Sequence, residues 1–357
     1  MSVCLTDAGL CGALGFNPFL LWALVLESIF LVCFAYFLLW IFRWRFPKKY
    51  QLTGFNVLIT GGSSGIGFSL SELFYRSGAN VSLLARDFHR LEAAKSKLEH
   101  SVNSGGTIHL LSIDLRDTFD QLHTKLQAHI SETGPVDILI NCAGFAVSRT
   151  FLDTPPHVFN DLFETNYLGA VKLTKLLLPT MIHDHSRPVS DRRIAFVCSM
   201  AAQASIFGMA AYTGSKCALR GFAETLRLEL EHSGPLVTLA FPPDTDTPGF
   251  ATENIGKPEE TSEISHTSGL ASPEHVASAV FRDILAGKLI SSYGLEGSAL
   301  SMLTAGVLPP TGFSRVTLGT LPGLVGSCIL DVLLAGPLRA IAIGVQLFVH
   351  SIPVIEL

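Results

Sequence analysis

Between residues 54 and 294, short apolar runs alternate with longer stretches in which apolar side chains recur every three or four positions. The short runs, rich in Val, Ile and Leu, predict buried strands at Asn56–Ile59, Val81–Ala85, Ile108–Ile113, Val136–Ile140, Ile194–Val197, Leu236–Phe241 and Leu289–Tyr293. The longer stretches predict helices over Phe68–Ser77, Asp87–Leu98, Thr118–Ile130, Pro156–Ile182, Ala211–Glu231 and Pro273–Ala286. In the first of these Leu70, Leu73 and Phe74 share a face and Gly78 stops the helix. Strands separated by helices of this length need right-handed crossovers, hence a parallel sheet covered on both faces. The expected fold is α/β and doubly wound, with about seven parallel strands and ligands at their carboxyl ends. Residues 244–272 interrupt the rhythm with Thr, Glu, Ser and Pro, and a loop of that length is expected to act as a substrate lid.

Both ends of the chain depart from this alternation. Residues 19–42 are apolar except Glu27 and Ser28. As a helix they extend about 36 Å, enough for a hydrocarbon core of roughly 30 Å. Asp7 and Glu27 are the only charged side chains before Arg43, after which Arg45, Lys48 and Lys49 follow at once. The positive-inside rule then predicts a lumenal 1–18, a transmembrane anchor over 19–42, a basic linker over 43–53 and a cytosol-facing domain over 54–294. Glu27 is costly inside such a span, and either a partner helix or a shallow, tilted insertion accommodates it. Residues 295–357 carry only Glu296, Arg315, Asp331, Arg339 and Glu356 as charges. One of their uncharged runs, Val316–Leu330, contains Pro322 and suits a re-entrant, interfacial or kinked membrane segment, or else a buried or dimerising element. A homo-oligomer is compatible with the second option.

Composition agrees with contact with membrane lipid: 48% hydrophobic against 15% charged residues, and a mean hydropathy of +0.42. A net charge of −5 offers no basic surface and argues against nucleic acid. The seven cysteines (4, 11, 33, 142, 198, 217, 328) show no paired spacing and read as reduced packing residues. His183-Asp184-His185 lies beyond a helix end beside Pro188 with no further ligand nearby, so it reads as an exposed turn and no metal is expected.

Chemistry concentrates at the carboxyl ends of the expected strands. Thr60-Gly-Gly-Ser-Ser-Gly-Ile-Gly67 joins a strand to a helix, where glycines let the backbone approach a pyrophosphate and free helix N–H groups face the anion. Tyr212 and Lys216 stand one turn apart on one helix face, and a nearby ammonium lowers a phenol's pKa toward the range useful for proton transfer. Ser199 closes a strand thirteen residues earlier, Asn166 sits within a helix, and Asn141-Cys142-Ala143-Gly144 ends the fourth strand.

These residues, over about Phe55–Tyr293, resemble the short-chain dehydrogenase/reductases, whose domain is a Rossmann fold. The resemblance implies that Tyr212 is the catalytic acid or base, that Lys216 lowers its pKa and holds the nicotinamide ribose, that Ser199 orients the carbonyl and that Asn166 supports a water-linked relay. It implies cofactor contacts from Gly61, Ser63, Ser64, Gly65, Ile66 and Gly67 in the turn, from Asp114 and Leu115 toward the adenine, from Asn141 and Ala143, and from Thr247. Two departures are Cys142, where the family usually has Asn, and Pro243, where it usually has Gly. Arg86 follows the second strand and Arg90 lies one turn on, where a 2′-phosphate needs a cation, so NADPH is expected, although Asp87 is close enough to reach a ribose.

A narrower resemblance, to 3-ketodihydrosphingosine reductases, rests on Pro242–Phe250, Glu253-Asn254, Lys257-Pro258 and the order anchor, reductase domain, apolar tail. It implies reduction of the C3 ketone of 3-ketosphinganine to sphinganine at the endoplasmic reticulum membrane. A long-chain sphingoid ketone dissolved in the bilayer calls for an apolar entrance at the interface. The acidic residues of the lid, Asp244, Asp246, Glu253, Glu259, Glu260 and Glu263, are candidates to attract its ammonium or simply a solvated surface. The competing readings are a membrane-anchored retinoid or hydroxysteroid reductase and, in another class, a non-catalytic dinucleotide-sensing scaffold.

Overall fold

The computed structural model describes residues 51–304 apart from 102–103 and 231–232, together with Glu27. The anticipated anchor and the region beyond 304 lie outside the described residues, and among those described no helix is long and apolar enough to cross a membrane. Seven strands form one sheet: β1 Asn56–Thr60, β2 Asn80–Ala85, β3 Ile108–Ser112, β4 Ile138–Asn141, β5 Arg193–Val197, β6 Leu236–Phe241 and β7 Ile290–Ser292. Their order is β3-β2-β1-β4-β5-β6-β7 and each neighbouring pair is parallel. The chain reverses its winding between β1 and β4, and a ligand crevice opens where the two carboxyl ends diverge. Thr60 Oγ1 accepts from the Cys142 and Ala143 amides, both at 2.9 Å, and so ties the two loops at that point.

Alternate residues of each strand feed opposite layers. Leu58, Leu139, Phe196 and Leu239 join Leu122, Leu173 and Leu177 in one apolar layer. On the other face α1 (Gly65–Arg76) packs against a helix over Pro273–Leu285, where Phe74 meets Phe281 edge to face at 4.8 Å. Both faces are thus buried, as continuous apolar strands require. Each such Leu, Ile or Phe contributes about 1.5–3 kcal/mol through burial.

The remaining helices are α2 Phe88–Ser101, α3 Phe119–Thr133, α4 Pro156–Phe163, α5 Gly169–His183, α6 Ala210–Glu229, α7 Pro248–Glu253, α8 Glu259–Ser268, α9 Pro273–Leu285 and α10 Gly294–Leu303. The helix expected over Pro156–Ile182 is divided. Glu164–Leu168 forms a π turn between α4 and α5, and such a turn rotates its residues relative to the regular helix. The expected loop over 244–272 is also corrected: it contains α7 and α8. Thr247 caps α7 by accepting from the Phe250 amide and Pro248 starts it, while Glu259 and Glu260 occupy the first turn of α8 after Pro258. Paired bonds from the Ala271 amide to the Asp244 carbonyl and from the Asp246 amide to the Ala271 carbonyl, each 2.9 Å, fasten the base of this segment. α10 joins the domain through Ser301, whose hydroxyl accepts from Gln203 at 2.9 Å. His183 and His185 are exposed, and Asp184 is engaged by the buried Arg192 instead.

Candidate active site

The turn after β1 is shaped for close approach. Gly65 takes φ +53°, and a side chain there would meet Thr247 Cγ2 at 2.8 Å. A Cβ on Gly67 would lie 2.3 Å from the Gly61 carbonyl oxygen. Ser64 precedes α1 without spending its hydroxyl on the cap, so the first amides of a twelve-residue helix remain open to an anion. This cradle, formed by backbone that no side chain obstructs, fits a dinucleotide pyrophosphate.

A cleft of about 230 Å³ runs from this turn across the ends of β4, β5 and β6. Of the residues singled out from sequence, Gly61, Ser64, Gly65, Ile66, Gly67, Ala143, Ser199, Tyr212, Lys216 and Thr247 line it. Ser199 follows β5 and Tyr212 stands in the first turn of α6, and both line the cleft. Lys216, 4% exposed, donates to the Val197 carbonyl at 2.9 Å, and its Nζ stands 5.8 Å from the Tyr212 ring centre.

The electrostatics differ from the expectation. Burial pushes the Tyr212 phenol up, the nearby Ser199 hydroxyl pulls it back, and Cys198, Glu253 and Asp244 add to the rise. Lys216 is not among the largest influences on it, and burial lowers the pKa of the ammonium itself. The phenol is therefore a firmly protonated acid before cofactor and substrate arrive. Burial also pushes the Cys142 and Cys198 thiols up, to about 12 and about 11, which makes them packing residues rather than nucleophiles.

Asn166 lies in the π turn and is 1% exposed. Its Oδ1 accepts from the Phe145 amide at 3.0 Å, while Nδ2 donates to the Phe145 carbonyl at 2.9 Å and to Ser215 Oγ at 3.1 Å. The amide thus clamps the loop after β4 rather than lining the cleft. Asn141 likewise turns away, toward Thr174 Oγ1 at 3.4 Å.

Arg86, Arg90, Asp114 and Leu115 stand farther along the rim, after β2 and β3. Leu115 is buried against Gly169. Arg116 donates to Asp114 at 2.9 Å and holds its carboxyl below the ordinary range. Arg90 pairs with Asp87 at 3.5 Å, which offsets the one carboxylate that could compete for a ribose. Arg86 is exposed and has no ion pair among the described residues. Ser63 is half-buried in the turn but is not a wall of the cleft.

Sequence reasoning did not single out Phe145, Ile206, Met209 and Phe250 as cleft walls. Two of them carried a signal, Phe145 as the residue directly after Asn141-Cys-Ala-Gly144 and Phe250 as the end of the Pro242–Phe250 run. Ile206 and Met209 come from the loop before α6 and Phe250 from α7, all folded over the sheet end.

The short chain dehydrogenase family profile matches residues 56–257. A solved short-chain dehydrogenase from Sphingobium yanoikuyae, in complex with NADPH, superposes with a TM-score of 0.60 at 26% identity, covering 71% of this chain and 92% of that one. The chain belongs to the short-chain dehydrogenase/reductase family. Within it, the chain is 41% identical over 293 residues to the 3-dehydrosphinganine reductase of Danio rerio, covering 82% of this chain and 87% of that protein. It is 40% identical over 289 residues to the 3-ketodihydrosphingosine reductase of Bos taurus, covering 81% and 86%. It is 35% identical over 300 residues to 3-dehydrosphinganine reductase TSC10A of Arabidopsis thaliana, covering 84% and 86%. These relatives mark the branch of the family in which the chain falls.

Proposed function

We propose that this protein reduces the C3 ketone of 3-ketosphinganine to sphinganine, with NADPH as reductant, at a membrane surface. The observation that carries the reading is the convergence of Ser199, Tyr212 and Lys216 on one cleft that begins at the open amides of α1. The names borne by relatives along most of the chain supply the substrate.

A reduced nicotinamide dinucleotide bound along the turn supplies the hydride. The amides of residues 64–67 would hold its pyrophosphate, Lys216 its nicotinamide ribose and Arg86 a 2′-phosphate. Ser199 and Tyr212 line the same cleft, so a carbonyl oxygen entering between them would accept from both hydroxyls. Tyr212 gives its proton to that oxygen as the carbonyl carbon is reduced, and the product is a secondary alcohol. A phenol kept protonated by burial is suited to this direction. Asn166 keeps Phe145 in place as a wall of the cleft.

A long apolar substrate is supported by the cleft surroundings. Phe145 is itself exposed at the cleft wall, and Phe151, Leu152, Phe207 and Ile255 are exposed on neighbouring segments. Those segments are tied together: the Arg149 amide donates to the Gly208 carbonyl at 2.7 Å, and Thr261 donates to the Phe207 carbonyl at 2.8 Å. An apolar surface of this kind marks contact with lipid or a lipid tail. With the apolar segment 19–42, we place the protein in the endoplasmic reticulum membrane with this domain facing the cytosol.

The test is NADPH oxidation by the purified full chain with 3-ketosphinganine, retinal and a steroid ketone. 3-Ketosphinganine is expected to turn over fastest, and Tyr212→Phe to abolish turnover while dinucleotide binding persists. Faster turnover of retinal or the steroid overturns the substrate; retention of activity in Tyr212→Phe overturns the mechanism.

A further inference from the structure

Six carboxylates in 244–272 are candidates for a substrate ammonium, and the fold separates them. Asp246, Glu259, Glu260 and Glu263 are exposed and outside the cleft wall. Glu253 does line the cleft, but Lys257 holds it at 3.0 Å, with both side chains largely buried and the ammonium also stacked on Phe250. That pair is internally neutral. Asp244 remains. It lines the cleft, no cation pairs with it among the described residues, and its carboxylate acts on the Tyr212 phenol across the cleft.

Its position is built. The Asp244 carbonyl accepts from the Ala271 amide at 2.9 Å, and its neighbour Thr245 is buried, donating to the Pro243 carbonyl at 2.8 Å. The backbone that carries the carboxylate is therefore fastened on both sides, whereas the lid helices beyond it are not part of this anchorage. The other cation on the cleft wall, Lys216, would repel a second positive charge; a carboxylate opposite removes that obstacle.

Resting on the function proposed above, we propose that Asp244 is the specificity-determining residue for an α-amino ketone, its carboxylate receiving the ammonium on the carbon bonded to the reacting carbonyl. The cleft then recognises two adjacent groups: the ketone oxygen through Ser199 and Tyr212, and the amine through Asp244. A ketone of equal chain length without the amine lacks the second contact and leaves the carboxylate unpaired.

The experiment compares 3-ketosphinganine with its 2-desamino analogue, using the full chain and NADPH, for wild type, Asp244→Asn and Asp244→Glu. Wild type is expected to prefer the amine by about 10- to 100-fold in kcat/KM, the range for a hydrogen bond to a charged group. Asp244→Asn should lose that preference, mainly through KM, while turnover of the desamino ketone changes by about threefold or less. Asp244→Glu should retain part of the preference, and NADPH binding by each variant checks that the cleft is intact. An equal fall on both ketones, or a preference that survives Asp244→Asn, overturns the assignment. A wild type that reduces both ketones equally refutes Asp244 as selector yet leaves the reductase reading standing. A wild type that reduces neither refutes that reading itself.

Discussion

Replacing Asn166 by alanine removes three hydrogen bonds at once, two of them to the backbone of Phe145 and one to Ser215. At about 1 kcal/mol each the loss is about 3 kcal/mol. Phe145 is 37% exposed, so water can recover part of what its amide and carbonyl lose. The expected destabilisation is therefore about 2 kcal/mol, a fall in Tm of roughly 4–8 °C for a domain of this size. Asn166→Asp should be at least as harmful, because a carboxylate has no donor for the Phe145 carbonyl and is buried against it. Thermal unfolding of both variants, with and without NADPH, measures this, and the ligand should narrow the gap because it braces the same loop. Unchanged Tm in both variants alongside a large loss of kcat would refute the clamp and return the amide to a purely chemical relay.

Three further outcomes follow from the same geometry. Arg86→Ala should weaken NADPH binding by roughly 10- to 100-fold and leave NADH nearly unchanged, since one charge-assisted contact is worth about 1.5–3 kcal/mol; equal losses would remove Arg86 from cofactor choice. The pH profile of reduction should stay flat through neutrality and fall only on the alkaline side, because burial raises the phenol that must remain protonated. Ser199→Ala, which deletes the hydroxyl that lowers this phenol, should shift that limb further up as the rate drops, and a downward shift would contradict the assignment. His129 is buried against Ser82 Oγ at 2.9 Å, and burial lowers its pKa. The unfolded chain therefore takes up the proton first, so stability is complete above the ordinary histidine pKa and declines as pH falls through the folded value. His129→Gln should flatten that acid-side decline in denaturant titrations, and an unaltered slope would show that other groups cause it.

Much of the architecture was legible before any coordinates because it rests on local spacing. Runs such as Val-Leu-Ile in β1 and Val-Thr-Leu-Ala in β6 specify strands on their own, and the i, i+4 interval of Tyr212 and Lys216 specifies a shared helix face. The glycine turn was equally plain, since few other residue patterns leave that backbone free. What neighbours distant in sequence contribute was not legible. The π turn that carries Asn166 to Phe145 depends on contacts made across the fold, as does the anchorage of Asp244 by Ala271 at the cleft wall. So does the acidity of Tyr212: its helix neighbour argued for a lowered phenol, but burial by loops from several elements raised it. Periodicity is a property of adjacent residues, whereas burial and electric potential sum over everything that packs nearby, and only the folded chain performs that sum.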